Sequence, residues 1–361
     1  MGVWQFLVAR EARRVDTIYH PLIKEDGAVR RHTVYEPGRP ARRRSRRLPA
    51  WPPYSYPLDA LLPIRPPHAD LWIGFNNLLA ARGVAERRLG RVEQVAYWAV
   101  DFVPDRFGAG PLTRAYDTLD AYCCRSVDYR VELSEAARNG RDARHGLTHD
   151  SVAPTQVVPV GAWLDRVPAA PSDGYAARRL LFIGHLVPRM GLDLGLEALS
   201  LLKGRGASVH LDVAGHGEHE AELRAQAERM GISDRVTFHG FIRDQRELAR
   251  LISQSSVALA PYKPDPSSFT RFADPSKLKG YLAAGLPILL TDVPPNAEDL
   301  AREAGAEILP YEPAAWADAI ERTLGDAGGW RERRAAALAY AQRFDWNTLL
   351  EDAFARMGFE A

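Results

Sequence analysis

From Arg179 onward the chain alternates two hydrophobic periods. Leu180-Leu181-Phe182-Ile183 is an unbroken apolar run ending at Gly184, the pattern of a parallel strand covered on both faces. Leu192, Leu196, Leu199 and Leu202 then recur at helical spacing over 192–203 and stop at Gly204. Val209–Ala214 predicts the next strand, closed by Gly215-His216-Gly217, and Glu220–Met230 predicts a helix with Gly231 just past its end. Strands at 236–238, 257–260 and 287–290 alternate with helices at 246–254 and 276–284. Repeated strand–helix units imply a parallel sheet with helices on both faces, and ligands bind such sheets at the carboxyl ends of the strands. Those ends fall at Gly184, Gly215–Gly217, Pro261–Phe269 and Thr291-Asp292.

The first half is less regular. Trp4–Ala12 predicts a helix; Arg14–Tyr19, Leu71–Gly74 and Val95–Val100 predict strands. Leu112–Cys124 predicts a helix, and Val131–Leu133 and Gln156–Val158 further strands. Residues 36–68, rich in Pro and Arg, read as a long irregular segment. Val160–Ala177, with Pro168, Pro171 and Gly174, reads as a linker, giving domains at 1–165 and 178–340. A doubly wound domain opens with a strand and a glycine-rich turn. Here the expected helix comes first, so either the sequence as given starts too late or the domain lacks that strand. Its neighbours would be left with bare apolar edges, which predicts weak stability or poor solubility.

Composition narrows the picture. The 361 residues are 46% apolar and 26% charged, which fits two folded domains. A net charge of +1 gives no support to a whole-chain nucleic-acid binder. The charge is uneven: residues 1–150 hold 24 Lys/Arg against 18 Asp/Glu, and the rest 23 against 28. The densest basic run is Arg42-Arg43-Arg44-Ser45-Arg46-Arg47, followed by Trp51, Tyr54 and Tyr56. It reads either as a solvated loop or as a peripheral contact to anionic lipid or a phosphorylated acceptor. No motif supports RNA binding. Cys123 and Cys124 are adjacent, so they form neither a disulfide framework nor a zinc site. The apolar run at Leu286–Leu290 is too short to span a bilayer. Val3–Ala9 lacks the basic flank and cleavage pattern of a signal peptide. The expectation is a cytoplasmic protein, with peripheral attachment at the inner membrane face as the added reading of the Arg42–Arg47 run.

Five stretches carry a resemblance. They are Leu181-Phe182-Ile183-Gly184-His185-Leu186 with Arg189-Met190-Gly191, and Val213-Ala214-Gly215-His216-Gly217. The others are Val236–Ile242, Lys277–Pro287 and Phe344-Asp345-Trp346. Together they resemble the retaining family 4 glycosyltransferases (glycosyl transferases group 1) over about 179–361. Tyr97–Phe107 is similar to the loop where that family faces its acceptor. Phe269–Lys277 is similar to a bacterial subgroup. The resemblance implies the GT-B architecture: α/β, two Rossmann-like domains with parallel sheets facing across a cleft, and a terminal helix at 341–361 returning to the first domain. The chain departs from the family at four places. His185 and Met190 stand where it has Arg and Lys, and Gly280 and the neighbourhood of Phe272 where it has glutamates.

Transfer from a nucleotide diphosphate-sugar requires stabilising a leaving diphosphate, which helix N-termini and cations supply. The resemblance makes Lys277 the principal diphosphate cation, with Arg189 in place of the missing one. Gly184 and His185 lie in the first loop, and Gly215 and Gly217 permit a tight turn beside the donor. Ser268, Phe269 and Thr270 approach phosphate and sugar, Phe241 and Ile242 bracket the base, and Glu298 meets the ribose. Asp101 would hold or deprotonate the acceptor hydroxyl, and Arg106 would bind an anionic acceptor. Plainer roles stay open: a solvated lysine, an ordinary glycine turn, a core Phe241, an Asp101 turn cap and an Arg106 paired with Asp105 or another acid. The resemblance implies no metal and no cofactor beyond a UDP- or GDP-linked donor. The acceptor would be carbohydrate, lipid-linked or a small molecule, and transfer would retain configuration. Two rivals stand beside this reading: an inactive nucleotide-sugar-binding homologue with a partner or regulatory role, and a two-domain nucleotide-sugar epimerase.

Overall fold

The structure is a computed structural model that describes residues 69–266 and 268–359, together with the backbone of strands at 3–9, 14–20, 22–25 and 28–31. The run Arg42–Arg47 lies outside the described residues. The chain divides into two units, one of residues 1–158 with 351–361, the other of residues 159–350.

The first unit contains β1 (Val3–Ala9), β2 (Arg14–His20), β3 (Leu22–Glu25), β4 (Ala28–Arg31) and β5 (Ala69–Gly74). Then come α1 (Asn77–Arg88), β6 (Val92–Ala99), α2 (Pro111–Ser126), β7 (Tyr129–Glu132), α3 (Glu135–His145) and β8 (Thr155–Val157). Strands β5, β6, β7 and β8 run parallel in that order. The first segment is not the expected helix. Val3–Ala9 is a strand, antiparallel to β2 on one side and β5 on the other. Its run of Val, Trp, Phe, Leu and Val suits a strand, and two flanking partners satisfy its backbone. The edge of β5 that a missing strand would have bared is therefore covered by β1, which removes the basis for the expected instability.

The second unit carries β9 (Arg179–Ile183), α4 (Leu192–Gly204), β10 (His210–Ala214), α5 (Glu220–Arg229), β11 (Val236–Gly240), α6 (Gln245–Ser253) and β12 (Val257–Ala260). It continues with α7 (Ser276–Ala284), β13 (Ile288–Leu290), α8 (Ala297–Glu303), β14 (Glu307–Ile308), α9 (Pro313–Gly325) and α10 (Ala327–Ala341). The division between the units falls inside the last helix, α11 (Trp346–Arg356), whose residues from Glu351 on belong to the first unit. The six strands are all parallel, in the order β11-β10-β9-β12-β13-β14. One core packs Leu196, Leu199 and Leu202 of α4 and Trp316 and Ile320 of α9 on one sheet face. The other packs Leu278, Tyr281 and Leu282 of α7 and Trp330 of α10 on the opposite face. The segment read as a linker is part of this unit. The Ala170 N–H bonds to the Ala284 carbonyl at 2.8 Å, and Ala162 pairs with Asp345. No described helix is long and apolar enough to cross a membrane.

Candidate active site

The carboxyl ends of β9 and β10 meet at two glycines that tolerate no side chain. Gly215 has φ +146°, and a Cβ there would fall 1.9 Å from the Gly184 carbonyl oxygen. A Cβ on Gly217 would fall 2.2 Å from the Leu186 carbonyl oxygen. Both turns thus need glycine because another backbone strand passes directly over them. Beside them opens a cavity of about 160 Å³ lined by Gly184, His185, Gly215, His216, Phe241 and Ile242. Phe241 is 64% exposed and meets the His216 ring edge-on at 5.4 Å, so it is no core residue.

Lys277 enters from α7. Pro275 precedes this helix and Gly285, in the left-handed region at φ +72°, ends it, as start and stop residues should. The residue is half-buried, but its Nζ is shut away from solvent and has no hydrogen-bond partner. It sits 4.4 Å from the centre of the Phe182 ring and 4.5 Å from that of Tyr262. A Cβ on Gly184 would stand 3.7 Å from it. Burial pushes its pKa down from 10.5 to about 7. The positive end of the α7 dipole acts in the same direction. A cation so placed lacks an anion.

Arg189 occupies the turn 188–190 and lies over the Phe269 ring at 4.8 Å, with its buried Nε unpaired. Phe269 belongs to the turn 269–272, capped by Ser268, whose hydroxyl lies 2.9 Å from that of Thr270. Both hydroxyl residues are buried. Gly191, at φ +67°, lets the 188–190 turn close on the Pro261 carbonyl, which a Cβ would approach to 1.7 Å. Lys277, Gly184, His185, Gly215, Phe241 and Ile242 therefore gather around one place, with Arg189 grouped with Phe269. Glu298 is exposed in the first turn of α8 and does not line that cavity.

In the first unit, Asp101 pairs with Arg106 and its carbonyl accepts from Arg141 at 2.7 Å. The partner of Arg106 is thus Asp101 and not Asp105, which pairs with Arg144. Beneath this loop lies a buried ionic network that the sequence did not reveal. Arg141 joins Asp120 and Glu132, Arg130 joins Glu132 and Asp142, and the Tyr97 hydroxyl donates to Asp120 at 2.5 Å. Burial raises the Asp120 pKa, but Arg141 and the bonds from His145 and Tyr97 outweigh it and hold it at about 2. Tyr262 and Phe182, which wall in Lys277, were also missed as site residues. Their one sequence signal is position, since Tyr262 follows the strand-closing Pro261.

Residues 177–326 match the family described as glycosyl transferases group 1. They are a glycosyl transferases group 1 domain. The D-inositol 3-phosphate glycosyltransferase of Streptomyces griseus is 30% identical over 267 residues, which covers 67% of this chain and 53% of that protein. The protein of the same name from Jonesia denitrificans is 26% identical over 184 residues, 49% of this chain and 42% of that one. The chain spans about half the length of the curated relatives it matches, or less. Among solved structures, Anabaena Alr3699/HepE in complex with UDP superposes with a TM-score of 0.65 at 18% identity, covering 80% of this chain and 79% of that one. The glycosyltransferase WaaG superposes at 0.57 and 18% identity, covering 76% and 80%. The fold is thus of the GT-B type, two α/β units built on parallel strands. The group 1 domain contains Gly184, the Gly215–Gly217 turn, Lys277 and Glu298, but not Asp101.

Proposed function

We propose that the protein is a glycosyltransferase that takes a sugar from a nucleotide diphosphate-sugar and delivers it to an acceptor hydroxyl. One observation carries the reading: the buried Lys277 ammonium has no partner and stands at a helix N-terminus beside Gly184. A diphosphate supplies the missing anion, accepts from Nζ and from free backbone N–H groups, and gains from the helix dipole. The group 1 domain, relatives named as glycosyltransferases and a neighbour that binds UDP support the same donor class.

As the sugar–phosphate bond breaks, charge builds on the leaving phosphate, and Lys277 stabilises it there. Arg189, its Nε unpaired, is the second cation for that charge. The base rests in the cavity against Phe241 and His216, with the Ile242 backbone at its edge. The reading assigns no protein nucleophile. Retention follows if the leaving phosphate oxygen takes the acceptor proton on the same face, with Asp101 orienting the hydroxyl. The reading is of metal-independent transfer, with Lys277 and Arg189 meeting the diphosphate charge.

Calorimetric titration with UDP, GDP and dTDP tests this. One nucleotide binds, and Lys277→Ala weakens it at least about tenfold, the cost of losing a charge-assisted bond. A folded protein that binds none of the three would instead favour a homologue without transferase activity.

A further inference from the structure

The second unit holds another cavity, of about 480 Å³, that shares no lining residue with the one beside Gly184. Its size is that of a small-molecule site. Its walls are pinned by backbone bonds: Lys263 N–H to the Arg189 carbonyl at 3.0 Å and His219 N–H to the Leu186 carbonyl at 2.9 Å. Asp193, in the first turn of α4, lines it. The Tyr311 hydroxyl donates to Asp193 Oδ2 at 3.0 Å, while Oδ1 is shut from solvent with no hydrogen-bond partner. His219 Nε2 stands 3.9 Å from that Oδ1. That gap is too long for a hydrogen bond, and a hydroxyl reaches both atoms from the side, at about 2.8 Å from each, once the Asp193 carboxylate turns Oδ1 towards the cavity.

The remaining lining narrows the ligand class. Asp193 and Glu222 are matched by Arg229 and Lys263, so the cavity is neutral overall. Glu222 and Arg229 pair at 2.7 Å, more than half exposed, and Gln226 lies between them on α5. Planar carboxylate, amide and guanidinium edges offer both donors and acceptors. Met230 adds an apolar surface for C–H groups. An anion would meet the unpaired Asp193 oxygen, and a cation would meet Arg229 and Lys263. A neutral polyol meets neither penalty, because a hydroxyl both donates and accepts.

We propose that this cavity binds a neutral saccharide, one of whose hydroxyls donates to Asp193 Oδ1 and accepts from His219 Nε2. The site is separate from the donor site and does not depend on it. Saturation-transfer NMR on the full chain with glucose, galactose, N-acetylglucosamine and maltose tests this. At least one sugar receives saturation, and His219→Ala and Asp193→Ala each weaken it about tenfold. His219→Ala leaves the Asp193–Tyr311 bond intact, so it reads the site even if Asp193→Ala fails to fold. An unchanged melting temperature and unchanged nucleotide binding establish that the variant is intact. Absence of binding by all four sugars, or a signal that survives His219→Ala in the folded protein, overturns the proposal.

Discussion

Replacing Lys277 by Met should stabilise the protein while destroying nucleotide binding. The ammonium is buried against Phe182 and Tyr262 without a counter-ion, and its pKa falls from 10.5 to about 7. Between these values the unfolded chain binds a proton that the folded one does not, so stability rises with pH from about 7 to about 10.5. Below pH 7 the full cost of holding the charge in the fold applies, about 5 kcal/mol, and by pH 9 about 2 kcal/mol remains. Met keeps the length and removes the charge. It also loses two cation–ring contacts, worth about 1 kcal/mol together. The net gain is then about 3–4 kcal/mol at pH 6 and about 2 kcal/mol at pH 9, where the folded amine is already neutral and makes no cation–ring contact. At roughly 2–4 °C per kcal/mol for a unit of this size, the melting advantage should be several degrees larger at pH 6. The measurement is thermal melting of both proteins at pH 6 and pH 9. A Lys277→Met protein that melts below its parent at pH 6, or by the same interval at both pH values, refutes the reasoning. The same linkage makes nucleotide binding take up a proton above pH 7, detectable by calorimetry in buffers of different ionisation heat.

Gly215→Ala should cost about 3 kcal/mol or more in urea denaturation, because its Cβ would fall 1.9 Å from the Gly184 carbonyl oxygen. Arg141→Met takes from Asp120 its guanidinium partner and leaves Glu132 with Arg130 alone, and should lower stability by about 3–5 kcal/mol, read as a loss in melting temperature. Asp120, held at about 2 against an ordinary 3.8, contributes stability that is present above pH 4 and lost as pH falls through 2. Asp120→Asn should therefore flatten acid unfolding in that window by about 2 kcal/mol. Phe241→Ala, at an exposed ring, should leave the melting temperature in place and weaken nucleotide binding several-fold in calorimetric titration.

The second unit was largely legible because its strands are covered on both faces and its helices carry their own stops. The helix at 276–284 starts after Pro275 and ends at Gly285, as the sequence predicts. The first unit hid more. No helix is predicted over α1, which carries Gly83 in its interior, a residue that costs a helix about 1 kcal/mol relative to Ala. The structure supplies the reason: a Cβ there would stand 2.5 Å from Trp72 Cδ1. Val3–Ala9 read as a helix because its strand character depends on two partners, β2 and β5, that local spacing does not show.

The sequence by itself determined the alternation of strands and helices, the glycine turns at the strand ends and the lysine at the head of α7, because each depends on neighbouring residues and local backbone geometry. The tertiary structure decided what that lysine meets. Phe182 comes from β9 and Tyr262 from the loop after β12, and they close around Nζ without bringing a carboxylate; only that long-range packing turns an ordinary surface residue type into a buried, unpaired cation. It likewise gathered Arg141, Asp120 and Glu132 from three elements into one buried network, since burial of charge is a property of the assembled core and not of any stretch of sequence.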